Sequence, residues 1–193
     1  RMDNVIKNRL KLIFIASMFA VPVLTAWLLF NNPQWLEGGS TKNYGELIVP
    51  AIPSELSDYF VGSEDEIKDL KGRCVLVHID TDGECSELCE QSVHIVQQLH
   101  VLLNKDAKRL KRVYLDKSEH QDNVFLSQAP ELFVLRWSDQ HLAKLQANVK
   151  NINDGDMLLL DPLGNIMMKY SQDADPYGIQ KDLKLLFKAS QIG

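Results

Sequence analysis

The feature that most constrains this chain is the run Cys74-Val75-Leu76-Val77-His78-Ile79. It is followed by Asp82-Gly83-Glu84-Cys85-Ser86-Glu87-Leu88-Cys89 and then by a helical pattern to about Lys105. A short β-rich apolar run, a polar turn and a long helix predict a strand–loop–helix unit with sulfur at the helix entrance. Alternation puts Cys74, Leu76 and His78 on one face of the strand and Val75, Val77 and Ile79 on the other. A strand apolar on both faces belongs in the centre of a sheet covered by helices on both sides. With Cys85 in the loop and Cys89 in the first helical turn, both sulfurs can converge where unpaired N–H groups and the helix dipole favour a thiolate. Asp80, Asp82, Glu84, Glu87 and Glu90 oppose this, because surrounding negative charge raises a thiol pKa and suits an encounter with cations. The spacing by itself leaves a structural disulfide and two unpaired cysteines open. Cys74 reads as a small buried hydrophobe, and His78 as a core histidine placed just before the cysteine loop.

Upstream, Leu12 to Phe30 is an uncharged stretch of 19 residues, LIFIASMFAVPVLTAWLLF, close to the length needed to cross a bilayer. Arg1, Lys7, Arg9 and Lys11 precede it and no basic residue follows until Lys42. The positive-inside rule therefore puts the N-terminus in the cytoplasm and the remainder outside. The apolar core exceeds the roughly 7–15 residues of a cleaved signal, so the expectation is a retained anchor. Pro22 is compatible with that reading. The whole chain carries a net charge of −5, and residues 1–30 hold four basic residues and one acidic one, which leaves −8 for the rest. An acidic exported domain does not point to nucleic acid, and its compartment lets cysteines change redox state.

The remaining elements follow in order. Residues 31–53 mix Pro, Gly, Ser and Asn with Leu47-Ile48-Val49, a tether ending in an edge strand or lead-in, with Trp35 as an interfacial anchor. Ser54 to Gly72 is acidic and weakly helical. After the central helix, which carries His94 and His100 away from the cysteines, Lys105, Lys108, Arg109, Lys111 and Arg112 read as a solvated basic helix end. Strands are expected at Arg112–Leu115 and Leu132–Leu135, a helix capped by Ser138 through about Val149, and a loop at Asn151–Asp156. The sequence closes with a strand at Met157–Leu160, a turn at Asp161–Asn165, its return at Ile166–Tyr170, and a helix from Pro176 to about Ala189. Together these imply an α/β fold, a three-layer α/β/α sandwich with a mixed sheet. The division is a cytoplasmic N-terminus at 1–11, a transmembrane helix at 12–30, a linker at 31–53 and the domain at 54–193.

The strand, the paired-cysteine loop, the helix, the later LLLDPLGNIMMKY and the terminal helix resemble the thioredoxin superfamily. Within it, Cys85-x-x-x-Cys89, the single N-terminal anchor and the DPLGN hairpin resemble the Sco/SenC family of membrane-anchored cytochrome c oxidase assembly proteins. NYGELIVP and LLNKDAKRLKRVYL also resemble smaller thioredoxin-like membrane proteins of bacterial oxidase assembly. The Sco resemblance implies a periplasmic copper chaperone on the bacterial inner membrane. It would bind Cu(I) through Cys85 and Cys89, or manage copper-ligand thiols, with cytochrome c oxidase subunit II or other assembly factors as partners. The family's third ligand is a histidine in the loop before the strand leading into the Pro-x-Gly turn, and here that loop, Asn151–Asp156, contains none. His78, His141, Met157, Met167 and Met168 are the soft donors available instead. The superfamily's oxidoreductases place a proline where this chain has Gly155-Asp156-Met157, and they use a shorter cysteine spacing. A membrane-anchored thiol–disulfide reductase using Cys85 and Cys89, and an accessory subunit with a structural disulfide, are the alternatives.

Overall fold

The computed structural model describes residues 2–32, 43–83, 87–117 and 131–189, with side chains from residue 6 onward and without those of residues 88 and 89. The chain divides into a unit at 1–42 and a unit at 43–193. The first is built on one helix, α1 (Met2–Asn31), whose segment Ile6–Asn31 is long and apolar enough to cross a membrane. Its apolar side chains, Phe14, Phe19 and Trp27 among them, are exposed. Pro22 lies inside the helix, and the Thr25 hydroxyl one turn on donates to the carbonyls of Val21 and Pro22.

The second unit is organised on six strands: β1 (Glu46–Ile52), β2 (Cys74–Ile79), β3 (Leu110–Asp116), β4 (Leu132–Arg136), β5 (Met157–Leu160) and β6 (Ile166–Tyr170). Their order across the sheet is β1-β6-β5-β2-β3-β4, which puts β2 inside the sheet between β5 and β3. β2, β3 and β4 run parallel, while β5, β6 and β1 are antiparallel to their neighbours. The sheet is therefore mixed, as the alternation of elements predicts.

Among the described residues, four helices cover it: α2 (Glu64–Leu70), α3 (Glu87–Leu103), α4 (Asp139–Asn148) and α5 (Pro176–Ala189). One face carries Val75, Val77 and Ile79 of β2 against Leu70, Trp137 and Leu145. The other carries Cys74 and Leu76 against Val96, Leu99 and Leu103 of α3 and Ile179 and Leu183 of α5. All six β2 side chains are buried, the physical outcome of a strand apolar on both faces. A leucine as fully buried as Leu76 or Leu99 stabilises the fold by about 1.5–3 kcal/mol.

Local signals fix the ends of these elements. Ser63 and Glu66 form a capping box at the start of α2. The hairpin between β5 and β6 is held by Asp161, whose carboxylate accepts from the backbone N–H groups of Leu163 and Asn165 at 2.8 and 2.9 Å. Gly164 in that turn has φ +94°, and a Cβ there would lie 2.9 Å from the Ser54 carbonyl oxygen, so both conformation and space demand glycine.

Three expectations are corrected. The central helix ends at Leu103 and passes into a 3-10 turn at Asn104–Arg109, short of the helix to about Lys105. β3 is longer than Arg112–Leu115, beginning at Leu110 and ending at Asp116. Arg112 is not part of a solvated helix end: it is 2% exposed inside β3, and its guanidinium donates to the Val96 carbonyl. The basic residues straddle a helix–strand junction, so alternation along the strand sends Arg112 inward and Lys111, paired with Asp69 at 2.8 Å, to the other face.

Candidate functional site

The C-terminal end of β2 and the residues after it form the best-braced polar region of the second unit. Asp80, 2% exposed, is its centre. One carboxylate oxygen accepts from the backbone N–H groups of Asp82 at 3.2 Å and Gly83 at 2.7 Å, and the other accepts from the Tyr114 hydroxyl at 2.8 Å. The Asp80 carbonyl accepts from the Trp137 indole at 2.8 Å. Burial pushes the Asp80 carboxyl above its ordinary value, against the opposing pull of the Gly83 N–H and the Tyr114 hydroxyl. The next residue, Thr81, donates through both its N–H and its hydroxyl to Asp154, and its carbonyl accepts from Lys117 at 2.9 Å.

Asp154 belongs to the loop ahead of β5, so this loop and the start of the cysteine loop are stitched together. Gly155 N–H donates to the Ile79 carbonyl at 2.9 Å and Ile79 N–H donates to the Asp156 carbonyl at 3.0 Å. Gly155 has φ +76°, and a Cβ there would meet the Gln172 side chain at 3.0 Å. Carboxylate oxygens of Asp80, Asp82 and Asp154 lie within 4.8 Å of one another. Their charge makes the mouth of the cysteine loop attractive to cations.

One pleat deeper is His78, 1% exposed. Its ring stacks on Tyr114 at 4.9 Å between centroids and 12° between planes. Neither ring nitrogen has a hydrogen-bond partner among the described residues. Burial lowers its pKa to about 4, so the imidazole is neutral at physiological pH. A neutral imidazole is the form that binds metals. Met157, fully buried, is its cross-strand partner on β5.

The other sequence candidates fall elsewhere. Cys85 and the side chain of Cys89 lie outside the described residues, although the backbone of Cys89 is the third residue of α3. Cys74 is free and buried on the α3 face, and burial pushes its thiol up to about 11, which makes it inert packing. His141 caps the start of α4, its Nδ1 accepting from the Ser138 N–H. Leu142 and Leu145 of that helix pack in the core on the face opposite His78. Met168 is core on the α3 face and Met167 packs half-buried beside it. The bracing residues Asp80, Tyr114 and Trp137 were not singled out by the sequence, where Asp80 reads only as one of an acidic series. An acidic residue directly after a wholly apolar strand is the signal that could have marked it.

Residues 75–190 match the family profile described as "transmembrane-like, thioredoxin-like, C-terminal domain". No curated protein matches the chain by sequence. Among solved structures, apo Sco1 from Thermus thermophilus superposes with a TM-score of 0.57 at 14% identity, covering 77% of this chain and 99% of that one. Yeast Sco1 with copper bound gives 0.51 at 16% identity over 64% of this chain and 83% of its own. ScoI from Arabidopsis thaliana with copper bound gives 0.50 at 14% identity over 64% and 88%. At such identities these likenesses establish a shared thioredoxin-like fold. With more than half of its length matched by that profile, the chain belongs to the transmembrane-like, thioredoxin-like C-terminal domain family.

Proposed function

We propose that this protein is a membrane-tethered, Sco-like assembly factor for cytochrome c oxidase, which takes up Cu(I) as cargo through Cys85 and Cys89. The observation that carries the reading is the placement of the Cys85-x-x-x-Cys89 segment. It joins the C-terminal end of an inner strand to the start of α3, in a fold shared with copper-bound Sco proteins. Open α/β sheets put their sites at such strand ends. Two thiolates in a single loop suit Cu(I), a soft ion, and the acidic rim of Asp80, Asp82 and Asp154 draws cations toward them. The apolar helix Ile6–Asn31 serves as the anchor. Basic residues before it and none directly after it support a cytoplasmic N-terminus and a periplasmic domain on a bacterial inner membrane.

The test uses the full chain in detergent micelles, reduced and loaded with Cu(I), mixed with the copper-free soluble domain of an oxidase subunit II. Portions of the mixture are oxidised at intervals with ferricyanide, which takes one electron from each all-Cu(I) dinuclear centre formed, and the expected result is visible absorption of the resulting mixed-valence centre that grows at least roughly tenfold faster than with a Cys85→Ser/Cys89→Ser variant. Equal rates for the two proteins would refute the assembly role.

A further inference from the structure

The outer face of α5 is basic in an acidic domain. Its exposed residues are Tyr177, Lys181, Lys184, Leu185 and Lys188, with Ala189 at the end. At about 100° per residue the first five fall within an arc of roughly 100°, a stripe about 16 Å long. The opposite arc, with Ile179, Leu183 and Phe187, is buried. The one acidic residue of the helix, Asp182, is turned inward and bonded to Tyr44, Gly45 and Tyr170. The stripe thus presents three ammonium groups and no carboxylate. Between them stand Tyr177 and Leu185, which leave 59% and 49% of their surfaces exposed.

Neighbouring elements extend this face. Arg109 donates to the Phe187 carbonyl at 3.1 Å and its guanidinium lies over the Phe187 ring at 4.5 Å, which holds the 3-10 turn Asn104–Arg109 against the C-terminal half of α5. Two further exposed lysines, Lys105 and Lys108, come with that turn, beside a half-buried Asp106. At the other end Tyr44, itself exposed, packs on Gly178, where a Cβ would meet its ring at 2.6 Å. Lys181 donates to the Tyr44 hydroxyl at 3.0 Å and sits over its ring at 5.0 Å. The acids at this end, Asp173 and Asp175, accept from the Ser171 hydroxyl and the Tyr177 N–H. Positive charge is therefore concentrated toward the C-terminal half and the tyrosines toward the start.

The chain that leaves α1 enters the second unit at Tyr44. Tyr44 follows Asn32 by 12 residues, a reach of at most about 40 Å. With α1 in a bilayer, the start of this face is tethered within that distance of lipid. Lysine ammonium groups are attracted to anionic headgroups within a Debye length, and tyrosine and leucine suit the boundary between headgroups and acyl chains. The chain beyond residue 30 carries −8, so an anionic surface repels it in most orientations and selects one that presents a basic face.

We propose that the Tyr177–Lys188 face of α5 docks the domain on a surface of anionic phospholipid. This inference rests on the membrane-anchor reading above and on nothing in the copper reading.

The test acetylates surface lysines of the full chain, held through α1 in nanodiscs of phosphatidylcholine alone or with roughly one-third phosphatidylglycerol. Mass spectrometry follows each lysine. Lys184 and Lys188 are expected to react at least roughly threefold more slowly in the anionic discs, and to regain their rate in about 0.5 M salt. Lys68 of α2 and Lys144 of α4, on helices that cover the other face of the sheet, are expected to react alike in both lipids. Tyr177→Asp/Leu185→Asp, which replaces two exposed side chains and keeps every lysine, is expected to abolish the protection. Equal rates for Lys184 and Lys188 in the two lipids, or slowing shared equally by Lys68 and Lys144, overturns the inference and leaves this face to an acidic protein or to water. Protection unchanged in the double variant overturns it too. A chain that does not stay with the neutral discs overturns the anchor reading as well.

Discussion

Replacing Asp182 by alanine is expected to destabilise the second unit by about 3–5 kcal/mol, read from urea unfolding of the full chain in detergent through Trp137 fluorescence. Asp182 is 1% exposed on α5. Its carboxylate accepts from the backbone N–H of Tyr44 at 2.9 Å, the N–H of Gly45 at 2.9 Å and the Tyr170 hydroxyl at 3.2 Å. Deleting the acceptor strands the buried Gly45 N–H and the part-buried Tyr44 N–H and leaves the Tyr170 hydroxyl with only the weak Met168 sulfur as acceptor, and hydrogen bonds to a charged group are among the strong ones. The same residues pack closely: a Cβ on Gly178 would meet the Tyr44 ring at 2.6 Å, and one on Gly45 the Tyr170 ring at 2.5 Å. Asp182 therefore pins the first residues of the domain, just ahead of β1, onto α5. Asp182→Asn, which keeps one acceptor, is expected to lose roughly half as much. A loss below about 1 kcal/mol in Asp182→Ala would contradict this account.

The second large effect has the opposite sign. His78→Leu is expected to make the copper-free protein more stable at pH 7 by about 1–3 kcal/mol, the cost of a buried orphan polar group. It is also expected to remove a pH dependence. The folded-state pKa of His78, about 4, lies below the ordinary 6.5, so the unfolded chain binds this proton first. Stability from this group is complete above pH 6.5 and is lost as pH falls toward 4, by about 3 kcal/mol in total. Asp80 and Asp156 act with the opposite sign, because burial raises their carboxyls. Their contribution is fullest at acid pH and declines as pH rises through the raised values. Subtracting the variant's unfolding curve from that of the wild type isolates the histidine. Identical slopes between pH 4 and 6.5 would show that the ring is not held neutral.

Much of this fold was legible because its strands obey simple periodicities. A run apolar on both faces announced an inner β2, and Asp161-Pro162-Leu163-Gly164-Asn165 announced the hairpin through a side chain that can cap its own turn. Junctions were less legible. Arg112 looked like the solvated end of a helix because its neighbours Lys108, Arg109 and Lys111 are basic, and only the switch from helical to strand period three residues earlier sends it inward. The polar network was hidden for a different reason. Asp182 sits beside Ile179 and Leu183 on the buried face of α5, yet its partners Tyr44 and Gly45 lie more than 130 residues away in sequence. Local pattern reveals a misplaced carboxylate without revealing what satisfies it. The reverse holds for His78: its position was suspicious from the sequence, but its lack of a partner among the described residues is a property of the folded chain.

The central claim, that Cys85 and Cys89 hold Cu(I), is tested most directly by anaerobic competition against a colorimetric Cu(I) chelator. The fully reduced full chain in detergent is compared with a Cys85→Ser/Cys89→Ser variant. The account predicts one copper per chain, held against the chelator by the wild type and released by the variant. A reduced wild type that surrenders its copper as readily as the double variant would contradict it.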